Sequence, residues 1–227
     1  MVNFTACDLL FNLSTLDKNI LQFLLIDDHE IVRTGINLLL SKIYHPVVIH
    51  EAANGESATD LLKKNYYDLV LMDIQMPNTD TFGLLGYITI KFPKIKVLIF
   101  SMSAERIFAK RFLKAGAKGF VSKDASLNEV KSAIELVLNN RRYISEQLQS
   151  QLADELASAE SKSPFDELNP KEFEIVTLFL AGEQIASISK ILNLKSSTVG
   201  LYKNKIFEKL GVKNFLELQA LYDQYQL

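Results

Sequence analysis

Three carboxylates, a hydroxyl and an ammonium stand out by where they fall beside short apolar runs. Asp27 and Asp28 follow Gln22–Ile26, Asp73 follows Asp68–Met72, Ser101 follows Lys96–Phe100, and Lys123 lies two residues beyond Lys118–Val121. If each run is a strand, these groups sit at carboxyl ends, where open parallel sheets bind their ligands. Carboxylates gathered there repel one another strongly at low dielectric. A divalent cation relieves that repulsion, and all-oxygen ligation with retained waters is what Mg²⁺ prefers. His29 suggests general-base or metal chemistry, but reads more simply as a helix-start residue beside the pocket. Each polar residue taken singly could also do no more than end its strand.

The elements that must hold these groups are legible as alternation. The runs named above, together with Val47–Glu51, are rich in Val, Ile, Leu and Phe, as strands buried on both faces are. Between them lie amphipathic stretches at Glu30–Ser41, Gly55–Lys64, Phe82–Lys91, Ala104–Lys114 and Ser126–Leu138. The last carries Leu127, Val130, Ile134 and Val137 on one helical face. Strand then helix, five times, implies right-handed crossovers and an α/β doubly wound parallel sheet of five strands. In the flavodoxin-like order the first and third strands are neighbours, so Asp27, Asp28 and Asp73 converge.

Composition narrows the class further. The 227 residues suit one large domain or two small ones. A net charge of −2, from 25 Lys plus Arg against 27 Asp plus Glu, excludes a globally basic nucleic-acid coat protein but not a local basic patch. The single cysteine, Cys7, excludes an intrachain disulfide framework and a Cys-based zinc site. No apolar run reaches membrane-span length. The first 20 residues lack a basic leader, and Asp8 interrupts their apolar stretch, so the expected location is the cytoplasm.

After Arg142 the pattern changes. Ser145–Ser163 is rich in Gln, Ser, Ala and Glu and ends at Pro164. It reads as a linker in which Leu148, Leu152 and Leu156, recurring at four-residue spacing, allow a helix over part of its length, with a solvated tether favoured over a packed interdomain helix. From Asp166 onward there is no strand signal. Asn169, Pro170 and Glu172 form a helix start of the capping-box kind. Ile175, Val176, Leu178 and Phe179 follow, and Gly182 ends that helix. A second short helix carries Ile185, Ile188, Ile191 and Leu192. After a turn at Asn193–Ser196, Ser197 or Ser196 is placed to cap a third helix ending at Gly211. A fourth runs from Asn214 to about Tyr222. Four short helices with a tight turn between the second and third match a helix-turn-helix unit. Between Lys190 and Lys213 stand six lysines and one acid, Glu208, whereas the rest of the segment has one lysine and seven acids. A compact basic stripe of this kind is the footprint of phosphate binding.

Two resemblances now apply. Leu25-Ile26-Asp27-Asp28-His29, Leu71-Met72-Asp73-Ile74-Gln75-Met76-Pro77, Phe100-Ser101 and Lys118-Gly119-Phe120-Val121-Ser122-Lys123 resemble the signature of two-component response-regulator receiver domains. That resemblance implies that Asp73 takes a phosphoryl group from a phosphohistidine on a sensor histidine kinase. It implies a Mg²⁺ held by Asp28 and Asp73, by Asp27 mainly through water, and by the backbone carbonyl of Gln75. Lys123 and Ser101 would serve the phosphate. Ser101 would move toward it and Phe120 would turn inward behind, biasing the face of the fourth helix, fifth strand and fifth helix. Phe120 is otherwise an ordinary core aromatic.

In the C-terminal part, Leu168-Asn169-Pro170-Lys171-Glu172, Gly182, Ile188, Leu192, Ser197-Thr198-Val199, Tyr202, Ile206 and Lys209-Leu210-Gly211-Val212 resemble the LuxR-type helix-turn-helix. The third helix would enter the major groove. Val199, Ile206 and Leu210 would face the core, and Gly200, Leu201, Lys203, Asn204 and Lys205 would face outward. Ser197, Thr198, Lys203, Lys205 and Lys209 suit phosphates. Asn204 suits adenine and Leu201 a thymine methyl. Gly200, Gln184, Ser187 and Ser189 depart from the usual lysine, serine, glutamate and alanine of that family. The last helix would share its apolar row between the third helix and a homodimer seam.

The expectation is a receiver domain over 21–143, a linker over 144–165 and a DNA-binding domain over 166–227. It would bind double-stranded DNA and work without turnover, transferring phosphate to itself and losing it slowly. A phosphatase using Asp73 would normally carry a second acid where Gln75 stands. A dinucleotide oxidoreductase would need a Gly-x-Gly-x-x-Gly motif after the first strand, which is lacking. The remaining rival is a phospho-regulated module whose C-terminal helices dock protein.

Overall fold

The computed structural model describes residues 20–226 apart from 77–78, 103–104, 158–162 and 193. Readings that fall on Cys7, the leader and Asn193 lie outside the described residues. Five parallel strands, β1 (Leu21–Ile26), β2 (Val47–Ala52), β3 (Leu69–Met72), β4 (Lys96–Ser101) and β5 (Gly119–Ser122), form one sheet in the order β2-β1-β3-β4-β5. Helices α1 (Glu30–Ile43), α2 (Gly55–Lys64), α3 (Thr81–Lys91), α4 (Glu105–Lys114) and α5 (Leu127–Leu138) connect or follow them. β3 is buried along its whole length, because the central strand has helices on both faces. One layer of the core joins Leu24, Ile26, Val70, Met72 and Ile99 to α2–α4; the other joins Phe23, Leu25, Leu71, Leu98 and Phe100 to α1 and α5. Alternate residues of each strand thus face opposite layers.

The tether expectation for the linker is corrected. Residues Glu146–Ala157 form a helix, α6, started by Ser145, whose Oγ accepts from the Leu148 amide at 3.1 Å and donates to Glu105 Oε2 at 2.7 Å. Leu148 is buried in the apolar core. Leu148 and the capping Ser145 tie this helix to the rest of the fold.

The C-terminal unit comprises a 3₁₀ turn (Pro164–Glu167), α7 (Pro170–Leu180), α8 (Ile185–Ile191), α9 (Ser196–Leu210) and α10 (Phe215–Gln226). The capping box of Asn169 and Glu172 is formed. Gly211 ends α9 at φ 67°, a left-handed cap that glycine takes without a Cβ penalty. The cap of α9 is corrected: Lys195 occupies it without a side-chain bond, and both serines lie inside the first turn. Ser196 Oγ instead reaches Ser189 Oγ across the helix-turn-helix at 3.2 Å.

Candidate functional site

The carboxyl ends of β1 and β3 meet as adjacent strands. The amide of Asp27 donates to the Ala52 carbonyl at 3.1 Å, and that of Asp73 to the Ile26 carbonyl at 2.8 Å. Each acid is therefore fixed by the sheet ladder one residue past its strand. Both are buried. Lys123, delivered by the turn after β5, places Nζ 2.6 Å from Asp27 Oδ2 and 2.7 Å from Asp73 Oδ2. Its own amide donates to the Ser101 carbonyl, tying β4 to that turn. Burial of the Lys123 ammonium works against its charge, yet its bonds to Asp27 and Asp73 hold its pKa above the ordinary lysine value. The cation is therefore retained.

The remaining valences of the acids are unevenly used. Asp73 Oδ1 accepts from the amides of Ile74 at 2.6 Å and Gln75 at 3.1 Å. Asp27 Oδ1 accepts from the His29 amide at 2.9 Å. Asp28 Oδ1 is buried without a hydrogen bond, although His29 Nδ1 lies 3.0 Å away. Asp27, Asp28, His29 and Asp73 together offer ligand atoms within 4.8 Å of one another. His29 stands at the start of α1 as a cap without a side-chain cap bond. Ser101 is fully buried at the end of β4, and Phe120 is fully buried in β5. Gln75 is exposed on the loop after β3. Arg33 was not singled out from the sequence. Its Nη1 donates to the Asp27 carbonyl at 2.7 Å while its Nε pairs with Glu51, bracing the acidic loop.

At the other end of the chain, Val199 and Ile206 are fully buried and Leu210 nearly so, while Leu201 is 70% exposed. Asn204 and Lys205 are exposed, and Lys203 lies 5.1 Å from the Phe215 ring centre. Ser197 is exposed and Thr198 and Gly200 are half-buried at the start of α9. Lys209 is a correction. Its Nζ contacts Glu172 Oε2 at 2.7 Å and the Glu167 carbonyl at 3.3 Å, so it is engaged inside the unit instead of projecting as a phosphate contact. Lys205 Nζ approaches the same carboxylate at 3.2 Å. Glu172 is fully buried and also accepts from the Asn169 amide. The sequence signal for Glu172 was the capping box, which says nothing of its second role as an anchor for α9.

Comparisons with known proteins agree with this geometry. Residues 23–135 match the response regulator receiver domain, and residues 166–221 match the luxR family of bacterial regulatory proteins. The response regulator GacA of Pseudomonas protegens is 36% identical over 201 residues, covering 88% of this chain and 94% of that protein.

The chain belongs to the response regulators.

It combines a receiver domain with a LuxR-type DNA-binding domain. The RcsB response regulator of Salmonella typhimurium superposes with a TM-score of 0.75 at 25% identity, over 92% of this chain and all of that one. A structure of RcsB in complex with DNA matches with a TM-score of 0.57 at 25% identity, over 90% and 98% of the two chains. In this response regulator the five-stranded domain is thus the receiver, and α7 to α10 make up the LuxR-type domain. No described helix is long and apolar enough to cross a membrane.

Proposed function

We propose that Asp73 is the phosphoacceptor, that it receives its phosphoryl group from a sensor histidine kinase, and that the modified chain controls transcription through α9. The observation that carries this reading is the Lys123 ammonium bridging Asp27 and Asp73. A carboxylate used as nucleophile needs its incoming charge neutralised, and this cation is already in place. The two amides on Asp73 Oδ1 orient the carboxylate, so Oδ2 faces the ammonium and the cleft. Ser101, at the end of the neighbouring strand, would donate its hydroxyl to the phosphate; its partner in β5 is Ser122, and Phe120 stands two residues earlier, opposite Ile99.

The pocket also fits a divalent cation. The donor set is rich in oxygen, and Asp28 Oδ1 is buried with no hydrogen bond and with the His29 ring 3.0 Å away, an acceptor of the sort a metal satisfies. Asp27, Asp28, Asp73 and the carbonyl of Gln75 would hold Mg²⁺, which supplies charge neutralisation for the transferring phosphoryl group. The pairing of buried Asp73 with Gln75, where a hydrolase would carry an acid, supports slow loss of phosphate and no turnover activity.

Residues 21–143 serve as the receiver, 144–165 as the connection and 166–227 as the DNA-binding unit. On α9, Ser197, Thr198, Lys203 and Lys205 are assigned to phosphates, Asn204 to base edges, and Leu201 and Gly200 to close approach in the groove. The exposed Phe215 and Leu216 on α10 support a homodimer seam, and DNA control places the protein in the cytoplasm. A protein-docking role for the same helices predicts no salt-dependent affinity for random duplex, whereas phosphate contact predicts a steep one.

Asp73→Asn tests the central assignment. The variant should take no label from an acyl-phosphate donor and form no fluoroberyllate adduct in Mg²⁺, while the parent does both. Equal labelling of the variant at another residue would overturn it.

A further inference from the structure

The C-terminal unit packs on the receiver through α7, against α3 and α4. Phe173 of α7 meets Phe108 edge-on at 5.1 Å, and the Arg111 guanidinium lies 3.7 Å from the centre of the Phe173 ring. Arg111 also donates to the Phe165 carbonyl and pairs with Asp166 at 3.7 Å. Beside these contacts, Lys171 Nζ sits 2.7 Å from Asp80 Oδ2 and 3.0 Å from Glu174 Oε2. Asp80 caps α3 by accepting from the Gly83 amide at 2.7 Å. Two carboxylates and one ammonium therefore join the first turn of α3 to α7.

The charges in this cluster do not balance. Glu174 is 5% exposed and its Oε1 is buried without a hydrogen-bond partner. One ammonium cannot neutralise two carboxylates, and a buried unpaired charge is costly. A proton on Glu174 makes the trio neutral and turns its orphaned oxygen into a donor, with the Asp80 carboxylate as its neighbouring acceptor. The charged groups that face it are Lys171 from its own helix and Asp80 from α3, with Glu183 in the lining of the adjoining cavity, while Arg111 of α4 is turned to Phe165, Phe173 and Asp166. That cavity, of about 350 Å³, is walled by Phe82, Phe108, Phe112 and Leu178 together with Thr79, Thr81 and Thr177.

We propose that docking of the DNA-binding unit onto the receiver takes up one proton, held between Glu174 and Asp80 and locked by Lys171. The sign follows from the two end states. Burial first, and then the charge of Asp80, push Glu174 up to about 8 in the docked form against the pull of Lys171. Asp80 moves the other way: burial opposes its charge, but Lys171 and the Gly83 amide outweigh that and hold it below its ordinary value. Undocked, Glu174 returns to water and to the ordinary carboxylate range. Docking is thus favoured as pH falls and weakens as pH rises toward 8, with no further change above it.

The test uses the full chain with Cys7→Ser and fluorophores on Lys63→Cys and Gln219→Cys, read by energy transfer across pH 6 to 9. The docking constant of the parent should fall roughly ten- to fiftyfold between pH 6 and pH 8. Glu174→Gln mimics the protonated acid, so it should stay docked with a flat profile. The carbon-13 carboxyl resonance of Glu174 in the parent should titrate above pH 7, which is a readout free of any substitution. A flat parent profile, an unchanged profile in Glu174→Gln, or a Glu174 resonance that titrates below pH 5 would each overturn the proposal.

Discussion

Replacing Glu172 by Gln isolates the charge that fastens α9 to α7. The carboxylate is fully buried, with Oε2 2.7 Å from Lys209 and Oε1 3.2 Å from Lys205. Removing one partner of a buried pair costs about 3–5 kcal/mol when the other charge is stranded. Here neither lysine is stranded, because the side chains of Lys209 and Lys205 are 30% and 57% exposed. Glutamine also retains an oxygen for the Asn169 amide. The loss is therefore close to that of one charge-assisted hydrogen bond, about 2 kcal/mol. Its pH dependence is equally specific. Burial works against the Glu172 charge, but Lys209, the Asn169 amide and Lys205 outweigh it and hold the pKa below the ordinary glutamate value. A lowered pKa contributes stability above the unfolded value and loses it as pH falls through the folded one. Urea unfolding followed by circular dichroism should show the variant less stable at pH 7, with the two curves drawing together as pH falls below the ordinary glutamate range. Coincident curves at pH 7, or a gap undiminished in acid, would refute the reasoning.

Three further outcomes follow from the same geometry. Lys123→Ala leaves the buried Asp27 and Asp73 carboxylates facing each other without their shared cation, so thermal melts should show a larger rise on adding Mg²⁺ in the variant than in the parent. Lys205→Ala should weaken binding to duplex DNA about equally across sequences and lower the magnitude of its log–log salt slope by about 0.9; an unchanged slope in fluorescence anisotropy would remove Lys205 from the phosphate contacts. Leu148→Ala, at a site 1% exposed, should cost about 2–4 kcal/mol and expose α6 to limited proteolysis, whereas a solvated connection would tolerate it.

The receiver was open to sequence reading because its signals are local. A strand buried on both faces must be apolar throughout, so runs such as Leu69–Met72 mark themselves. The polar residue just past each run then falls at the ligand edge without any knowledge of distant contacts. Asp27, Asp73, Ser101 and Lys123 were placed in this way, and the ladder bonds of Asp27 and Asp73 show why they stay there. The connection is harder to read for the opposite reason. Its Gln, Ser and Glu content is compatible with water, and the packing of Leu148 that ties its helix to the core is settled in three dimensions. Arg33 carried no motif at all, because its partners lie on two other elements.

The chain's own periodicity and spacing therefore determined the α/β sheet, the strand-end acids and the helix-turn-helix, since each depends on residues a few positions apart. Which charges compensate which was decided in three dimensions. Lys209 sits in a basic stripe that reads as phosphate binding, yet a carboxylate 37 positions away holds it; Lys171 meets Asp80 across 91 positions. A lysine has the same valence toward DNA as toward a neighbouring glutamate, and electrostatic energy depends on separation in space. Only the folded arrangement of α7 against α9 and α3 sets those separations.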